Sequence, residues 1–596
     1  MSGIREGFSG FGGDTKPFSD SVRMYEEQER VTFLKKSRKR MAIIAISSVV
    51  LVVVVVATVV GACLSRGNDR GEDSSQSFQT PQESIRAVCQ ATLYPQSCFY
   101  ALNSSIAGRS ITNPVELFIV SLEVAMNDFL RIVDLPTNLS VGVNGTLLST
   151  ALGDCQLLIQ DSIDNLNASI SAAQTASGGS GGLNGTAVED LRTLLSAALT
   201  NIDTCLDGLE NTTGGFLERM QVALGNTTEF TSNSLAIVTK ILSILSQVNS
   251  PAANRRLLAV PTSSDFPSWL LAADRKLLED AGAPAKADIV VALDGSGDVR
   301  KINDAIERVP KNNAKRFIIY VKKGVYAEHV EVDKKTTNLM IVGDGMDVTI
   351  VTGSLSVVGG TSTFRSATFA TVGKGFIARD IGFRNTAGPQ NHQAVALRSG
   401  ADFSVFYRCK FDAYQDTLYV HSNRQFYRDC LITGTVDFIF GNAAVVLQHC
   451  QIRPKEPMPG QKDTITAQAK SDPNQNTGIS IHGCEILAPN STTIKAQVFL
   501  GRPWKVYSTT VVMNTVIGSL VDPAGWLPWT GDSAPSTIFY AEFNNTGPGS
   551  STLKRVKWKG YHSDISQAQA SKFTVATFIG GSSWLPDTGV PFTAGL

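Results

Sequence analysis

Residues 404–452 read SVFYRCKFDAYQDTLYVHSNRQFYRDCLITGTVDFIFGNAAVVLQHCQI. An apolar residue, two positions, Cys, one position and then Phe or Ile recur along the stretch: Phe406-x-x-Cys409-x-Phe411, Tyr427-x-x-Cys430-x-Ile432 and Leu447-x-x-Cys450-x-Ile452. Downstream, Ile481-x-x-Cys484-x-Ile486 repeats the pattern, and upstream Phe376-x-x-Arg379-x-Ile381 fits with the Cys replaced. The first three cysteines are spaced by 21 and 20 residues. A near-constant step, in short β-rich runs broken by Gly and Asn, predicts one solenoid coil per repeat. Residues 279–596 are therefore expected to be all-β, a parallel β-helix. A sandwich of short strands is the competing architecture, and the constant step argues against it.

The same step brings polar residues together. Gln393 to Gln415 is 22 residues, Gln415 to Asp437 another 22, and Asp416 follows Gln415. On neighbouring coils such side chains stand about 4.8 Å apart. Asp416 and Asp437 then share a face, and two close carboxylates cannot both ionise easily. One becomes an acid near neutral pH while the other stays a nucleophile or base. Two neighbouring amides can donate hydrogen bonds to a developing oxyanion. This constellation suits acyl transfer without histidine or metal. The plain structural alternative is an Asn/Gln/Asp ladder that only satisfies hydrogen bonds. Tyr414, Tyr419, Phe438 and Trp504 are expected to add aromatic faces suited to sugar rings, and Arg502 a planar fork for a carboxylate.

Composition removes several function classes. The 596 residues imply more than one domain. With 43% hydrophobic and 18% charged residues the chain folds rather than remaining disordered. Lys+Arg and Asp+Glu are both 53, which argues against a nucleic-acid partner held by overall charge. The balance hides two opposed parts: residues 81–250 carry 6 basic and 15 acidic residues, residues 279–596 carry 32 and 27. All six histidines lie between 329 and 562, with no metal-ligand spacing. No metal or cofactor is expected, and Asp294-Gly-Ser-Gly-Asp298 reads as a turn rather than a calcium loop.

Residues 41–64, MAIIAISSVVLVVVVVATVVGACL, contain no charge and follow a basic cluster at 30–40. As a helix they would reach about 36 Å, enough to cross a bilayer core. The reading is a transmembrane signal anchor with residues 1–40 cytoplasmic. A cleaved signal peptide is the alternative, with a charged lead longer than such peptides carry. Nine N-x-S/T sequons, at Asn103, Asn138, Asn144, Asn167, Asn184, Asn211, Asn226, Asn490 and Asn544, all lie beyond that span, as do eight of the nine cysteines. Both patterns predict export and a disulfide-permissive compartment.

Residues 65–80 read as a stalk. Residues 81–250 read helical: Val188, Leu191, Leu195, Ala198, Ile202, Cys205 and Leu209 recur every three or four residues and form one apolar face. A G-x-S-x-G at 178–182 sits in a low-complexity break without a strand before it, so it is not a nucleophile elbow. Residues 251–278 read as a linker with two dibasic sites, Arg255-Arg256 and Arg275-Lys276, expected to be cut by a processing protease.

At these residues the chain resembles the plant pectin methylesterases (pectinesterases). The carrying motifs are Gly324-Val-Tyr326-Ala-Glu328, Gln393-Ala-Val-Ala-Leu397, Tyr414-Gln-Asp-Thr-Leu-Tyr419, Asp437-Phe-Ile-Phe-Gly441 and Leu500-Gly-Arg-Pro-Trp504, in the family's order. Ala469-Lys470 stands where the family more often has Gly-Arg. The resemblance implies a right-handed parallel β-helix that hydrolyses methyl esters of pectin, with Asp437 as nucleophile and Asp416 as acid/base. It also implies Gln415 and Gln393 as oxyanion stabilisers, and Thr363, Gln393, Arg502 and Trp504 in substrate binding. A Cys409–Cys430 disulfide belongs to the family pattern, while spacing alone leaves Cys430–Cys450 equally open. Cys89-Gln-Ala-Thr-Leu-Tyr-Pro-Gln-Ser-Cys98 and Leu195–Cys205 resemble the pectin methylesterase inhibitor and invertase inhibitor family. That second resemblance implies an all-α four-helix-bundle pro-domain with Cys89–Cys98 and Cys155–Cys205 pairs. Expected partners are methyl-esterified homogalacturonan, the membrane through 41–64, the protease and proteinaceous pectin methylesterase inhibitors. The rival functions are an inhibitor or carbohydrate-binding protein acting in trans, which needs no catalytic set, and a lyase, which needs a calcium site.

Overall fold

The computed structural model describes residues 80–143, 145–178, 184–210, 212–242, 287–489 and 494–596. The expectations for 1–40, 41–64 and 251–278, with Arg255, Arg256, Arg275 and Lys276, lie outside these residues, as do those for Asn144, Asn211 and Asn490. Pro81–Leu596 forms one compact unit.

From Ile289 onward the chain winds through three sheets of eleven, seven and eight strands, and its strand pairs are parallel between successive coils. This is the expected parallel β-helix. The repeat is its register: Phe406, Tyr427, Leu447 and Ile481 stand one above another, as do Phe411, Ile432, Ile452 and Ile486. Their side chains fill the interior, with Phe406 stacked on Tyr427 at 4.6 Å and Phe383 on Phe411 at 5.7 Å. The upstream match was misaligned by two residues. Ala378 and Phe383, not Phe376 and Ile381, pair with Phe406 and Phe411. The corner before each cysteine explains the repeat's punctuation: Arg408, Asp429, His449 and Gly483 all take positive φ, between 52° and 63°. A left-handed residue there turns the chain from one sheet into the next.

The cysteine ladder corrects one expectation. Cys409, Cys430, Cys450 and Cys484 are buried free thiols, so no Cys409–Cys430 disulfide is present. Each thiol instead reaches a backbone carbonyl of the coil below, Cys409 to Ala378 O at 3.4 Å and Cys430 to Phe406 O at 3.3 Å. The thiols pack as small apolar core residues.

Among the described residues the helical region has seven α-helices, not four: α1 Pro81–Cys89, α2 Pro95–Ser105, α3 Pro114–Ile132, α4 Leu135–Ser140, α5 Thr146–Gly178, α6 Gly185–Leu209 and α7 Phe216–Ile237. The helices missed by the bundle expectation are short, and they begin at or beside Pro81, Pro95 and Pro136, whose fixed φ suits a first helical turn. The predicted face of α6 is buried throughout. Cys89–Cys98 and Cys155–Cys205 are both bonded. Among the described residues no helix is long and apolar enough to cross a membrane; the span expected at 41–64 lies outside them. Of the described sequon asparagines, Asn138, Asn167, Asn184, Asn226 and Asn544 are exposed and Asn103 is half-buried.

Candidate active site

The seven-stranded sheet carries the site. Leu418 pairs with Ile439 across Leu418–Val420 and Ile439–Gly441, a step of 21 residues. Asp416 and Asp437, two positions earlier on each coil, are therefore opposite one another. Both take positive φ, 63° and 52°, which Asp tolerates better than most residues. The backbone cost, of order 1 kcal/mol each, is held by the surrounding ladder.

Asp437 is fixed from three directions. Thr464 Oγ1 donates to its Oδ1 at 2.6 Å, and Arg502 donates through Nε to Oδ1 at 2.8 Å and through Nη2 to Oδ2 at 2.6 Å. Such a charge-assisted fork sets both position and orientation. Arg502 reaches it because Gly501 lies against the neighbouring strand: a Cβ there would sit 2.6 Å from Thr466 O. Asp416 has no such cation of its own. Burial, then the charge of Asp437, hold its carboxyl well above the usual range, with Arg502 opposing. The two environments thus differ: Asp416 is pushed toward its protonated form, and Asp437 is clamped by a cation.

The two aspartates line a cavity of about 240 Å³ together with Gln393, Gln415, Thr363, Tyr419, Arg502 and Trp504. Gln393 is not in strict register with Gln415. The coil step is 21, so Ala394 N donates to Gln415 O at 3.2 Å, and Gln393 precedes the matched position by one. It faces the cavity all the same. Phe438 does not: it is fully buried inside the β-helix. Phe440 takes the outward place and stacks on Tyr419 at 4.2 Å. Phe438 and Ile439 both point inward, so alternation breaks between them; only counting from the inward Ile439 leads outward to Phe440. Tyr414 is not part of the lining and instead lies beneath Lys455 Nζ, 4.5 Å from its ring centroid. Phe364 and Trp529 were also missed. Trp529 stacks on Trp504 at 6.1 Å and carries the Arg502 guanidinium 4.3 Å from its ring centroid. No periodic signal marks either residue, since both come from irregular segments.

The remaining wall belongs to the helical region. Leu147, Asp154, Thr204, Asp207 and Glu210 face the same cavity. Thr204 Oγ1 lies 3.0 Å from His421 Nε2, and Asn442 Nδ2 donates to Thr200 Oγ1 at 2.9 Å. Phe364, Tyr419 and Phe440 are buried in one apolar cluster with the helical core. Charge is complementary across this face: Asp154 pairs with Arg365 at 2.5 Å, Asp207 with Lys505 at 2.5 Å and Asp190 with Arg424 at 2.8 Å.

Among the described residues no cluster of ligands suits a metal ion. Asp294 accepts from Ser296 N at 2.9 Å, and Asp298 from Val290 N at 2.8 Å, as a turn would have it.

Comparison with known proteins follows the same division. The family model described as Pectinesterase matches residues 288–582, and that described as Plant invertase/pectin methylesterase inhibitor matches 83–237. The chain is 47% identical over 574 residues to "Probable pectinesterase/pectinesterase inhibitor 46" of Arabidopsis thaliana, covering 95% of this chain and 98% of that one. It is 49% identical over 576 residues to "Pectinesterase 3" of Phaseolus vulgaris, covering 96% and 98%. Among solved structures, "Pectin methylesterase from Carrot" superposes with a TM-score of 0.52 at 52% identity, covering 53% of this chain and 100% of that one. The chain belongs to the pectinesterase family, esterases that demethylesterify pectin, and carries an inhibitor-like region ahead of its β-helix.

Proposed function

We propose that Asp437 attacks the C6 carbonyl of a methyl galacturonate unit in homogalacturonan. The carbonyl π pair moves to oxygen, where the Gln393 and Gln415 amides donate to it. Collapse expels the methoxy group, Asp416 supplies its proton, and methanol leaves an acyl–Asp437 intermediate. Asp416, now a carboxylate, takes a proton from water as that water attacks the acyl carbon. Asp437 departs as a carboxylate and free galacturonate is released. The observation that carries this reading is the split pair: Asp416 kept protonated by burial and its neighbour, Asp437 clamped by Arg502 and Thr464. Thr363, Tyr419 and Trp504 hold the sugar chain.

Residues 81–250 are the pro-domain of a precursor and 279–596 the mature enzyme. Cleavage at Arg255-Arg256 or Arg275-Lys276 by a processing protease frees the cleft that α5 and α6 cover. The mature enzyme acts in the cell wall. The same face is where a separate inhibitor of helical fold docks. The opposed charges and the shared apolar cluster support this reading.

The test is methanol release from methyl-esterified pectin by residues 279–596, beside Asp437→Asn. The β-helix has buried cores made wholly of its own residues, and the carrot structure consists of the matching part alone, so this part folds by itself. Release by the unsubstituted domain and loss of at least about a thousandfold in kcat for Asp437→Asn is expected. Equal release from both would keep the activity and remove the nucleophile.

A further inference from the structure

Thr464 does more than donate to the Asp437 carboxylate. Its Oγ1 donates to Asp437 Oδ1 at 2.6 Å and also accepts from the Asp437 backbone N–H at 2.9 Å. One hydroxyl thus ties the carboxylate to its own left-handed backbone. Thr464 belongs to the strand Asp463–Gln468, which pairs with Ile439–Gly441 on one side and Val498–Pro503 on the other.

The strand begins with a buried acid. Asp463 is fully buried, in register with Val498 of the interior core. Its N–H donates to Gln497 O at 2.9 Å, but neither carboxyl oxygen has a hydrogen-bond partner among the described residues. The charged groups on the segments packed around it do not pair with it. Lys462 Nζ lies over the Phe499 ring, 5.5 Å from its centroid, and Asp522 accepts from Gln497 Nε2 at 2.8 Å. Lys495 is exposed, and its backbone N–H donates to Glu456 Oε2 at 2.7 Å. Asp437 and Arg502 pair with each other beyond Thr464. An isolated buried carboxylate is far less stable than its protonated form. Burial pushes the Asp463 carboxyl up to about 8, and the charge of Glu456 adds to the rise.

We infer that Asp463 is a positioning residue that acts through Thr464. Neutral, it lets the strand carry the Thr464 hydroxyl against Asp437. Ionised, it draws water to the head of the strand, moves Thr464 and releases Asp437. The inference rests on the reading of Asp437 as nucleophile given above. It gives the site an alkaline limit separate from that of Asp416, whose own deprotonation removes the proton that methanol needs.

The experiment uses residues 279–596, unsubstituted and as Asp463→Asn, with Asp463→Leu as a second variant that cannot ionise. The folded domain holds the Asp463 proton up to about pH 8, whereas the unfolded chain loses it near pH 4. The unsubstituted domain therefore loses stability as pH rises across that window, and the variants escape the loss. The melting midpoint of each variant, relative to the unsubstituted domain, should rise by at least about 3 °C between about pH 4.5 and 8. A difference that stays constant with pH would overturn the inference. The second readout is kcat for methanol release at about pH 9 divided by kcat at about pH 6, well below every midpoint. Asp416 titrates in all of these proteins, so comparing the ratios cancels it. Asp463→Asn should raise the ratio by about three- to tenfold, and the same substitution made in Thr464→Val should leave the ratio unmoved. No rise, or an equal rise with and without Thr464, would overturn the positioning role while methanol release continues. No methanol from the unsubstituted domain at any pH would overturn the esterase reading and the positioning role together.

Discussion

Inside the β-helix, Phe406 meets Tyr427 and Phe411 meets Ile432, residues one coil apart that share a register. In the helical region, Cys155 of α5 bonds Cys205 of α6 across 50 residues, and the faces of α3, α5, α6 and α7 meet in a pattern no single spacing repeats. The first architecture adds core by repetition, so each coil is stabilised by its neighbours and its four thiols stay unbonded. The second is small, has a limited core and is held by two disulfides. The difference also fits the proposal that the helical part is the one shed. The β-helix holds Asp437 with its own Arg502 and Thr464, whereas the acids of the helical face find their cations on the β-helix.

The comparison breaks most sharply at the carboxylates. If the β-helix alone carries the chemistry, Asp416→Asn in residues 279–596 should cost about 10²–10⁴ in kcat with little change in fold, checked by methanol release and circular dichroism. Because Asp416 must begin protonated and its carboxyl is raised, kcat/KM of the unsubstituted enzyme should fall as pH climbs through that raised value. Next in size is the cover. Uncleaved 81–596 should release methanol at least about a hundredfold more slowly than the same protein after linker cleavage and separation, consistent with a cleft buried behind several ion pairs and an apolar cluster. Equal rates before and after cleavage would mean that the helices leave the cleft when substrate arrives.

The staples sharpen the contrast. Cys155→Ala with Cys205→Ala should destabilise the helical region by about 2–4 kcal/mol, read by urea denaturation. Cys430→Ala in the β-helix removes only one buried sulfur and should cost about 1 kcal/mol. A larger loss at Cys430 would show that the thiol ladder bears weight the disulfides were assigned.

The smallest effect is on docking. Burial pushes the Asp203 carboxyl, which accepts from Ser471 Oγ at 2.5 Å, up to about 6. Below about pH 4 it is neutral both docked and free. Between about pH 4 and 6 the free carboxyl ionises while the docked one keeps its proton, so docking weakens as pH rises through that window. Binding of separated 81–250 to 279–596 should be about tenfold tighter at pH 4 than at pH 7. Burial also raises Asp207, to about 7, and Asp154, so Asp203→Asn should reduce the profile without removing it, as followed by calorimetry.

The repeat of Cys409, Cys430 and Cys450, with its constant step, announced a coil, and a coil of 21 residues places Asp416 opposite Asp437 without further information. The apolar face of α6 was equally legible, because helical period is a local property, whereas the pairs Cys89–Cys98 and Cys155–Cys205 came only from the resemblance to the inhibitor family. What escaped was decided by neighbours far along the chain. Phe438 and Ile439 both turned inward and Phe440 outward, so the alternation breaks just before the strand begins. Phe364 and Trp529 entered the cavity from irregular segments that carry no period. Cys409 and Cys430, though one coil apart, found carbonyls rather than each other. The placement of Asp154 and Asp207 over the cleft rests on contacts between residues roughly 200 to 300 positions apart. A sequence encodes period, and hence the coil and the facing aspartates. It does not encode which surface a second domain will bury, since that depends on shape and charge assembled only after both have folded.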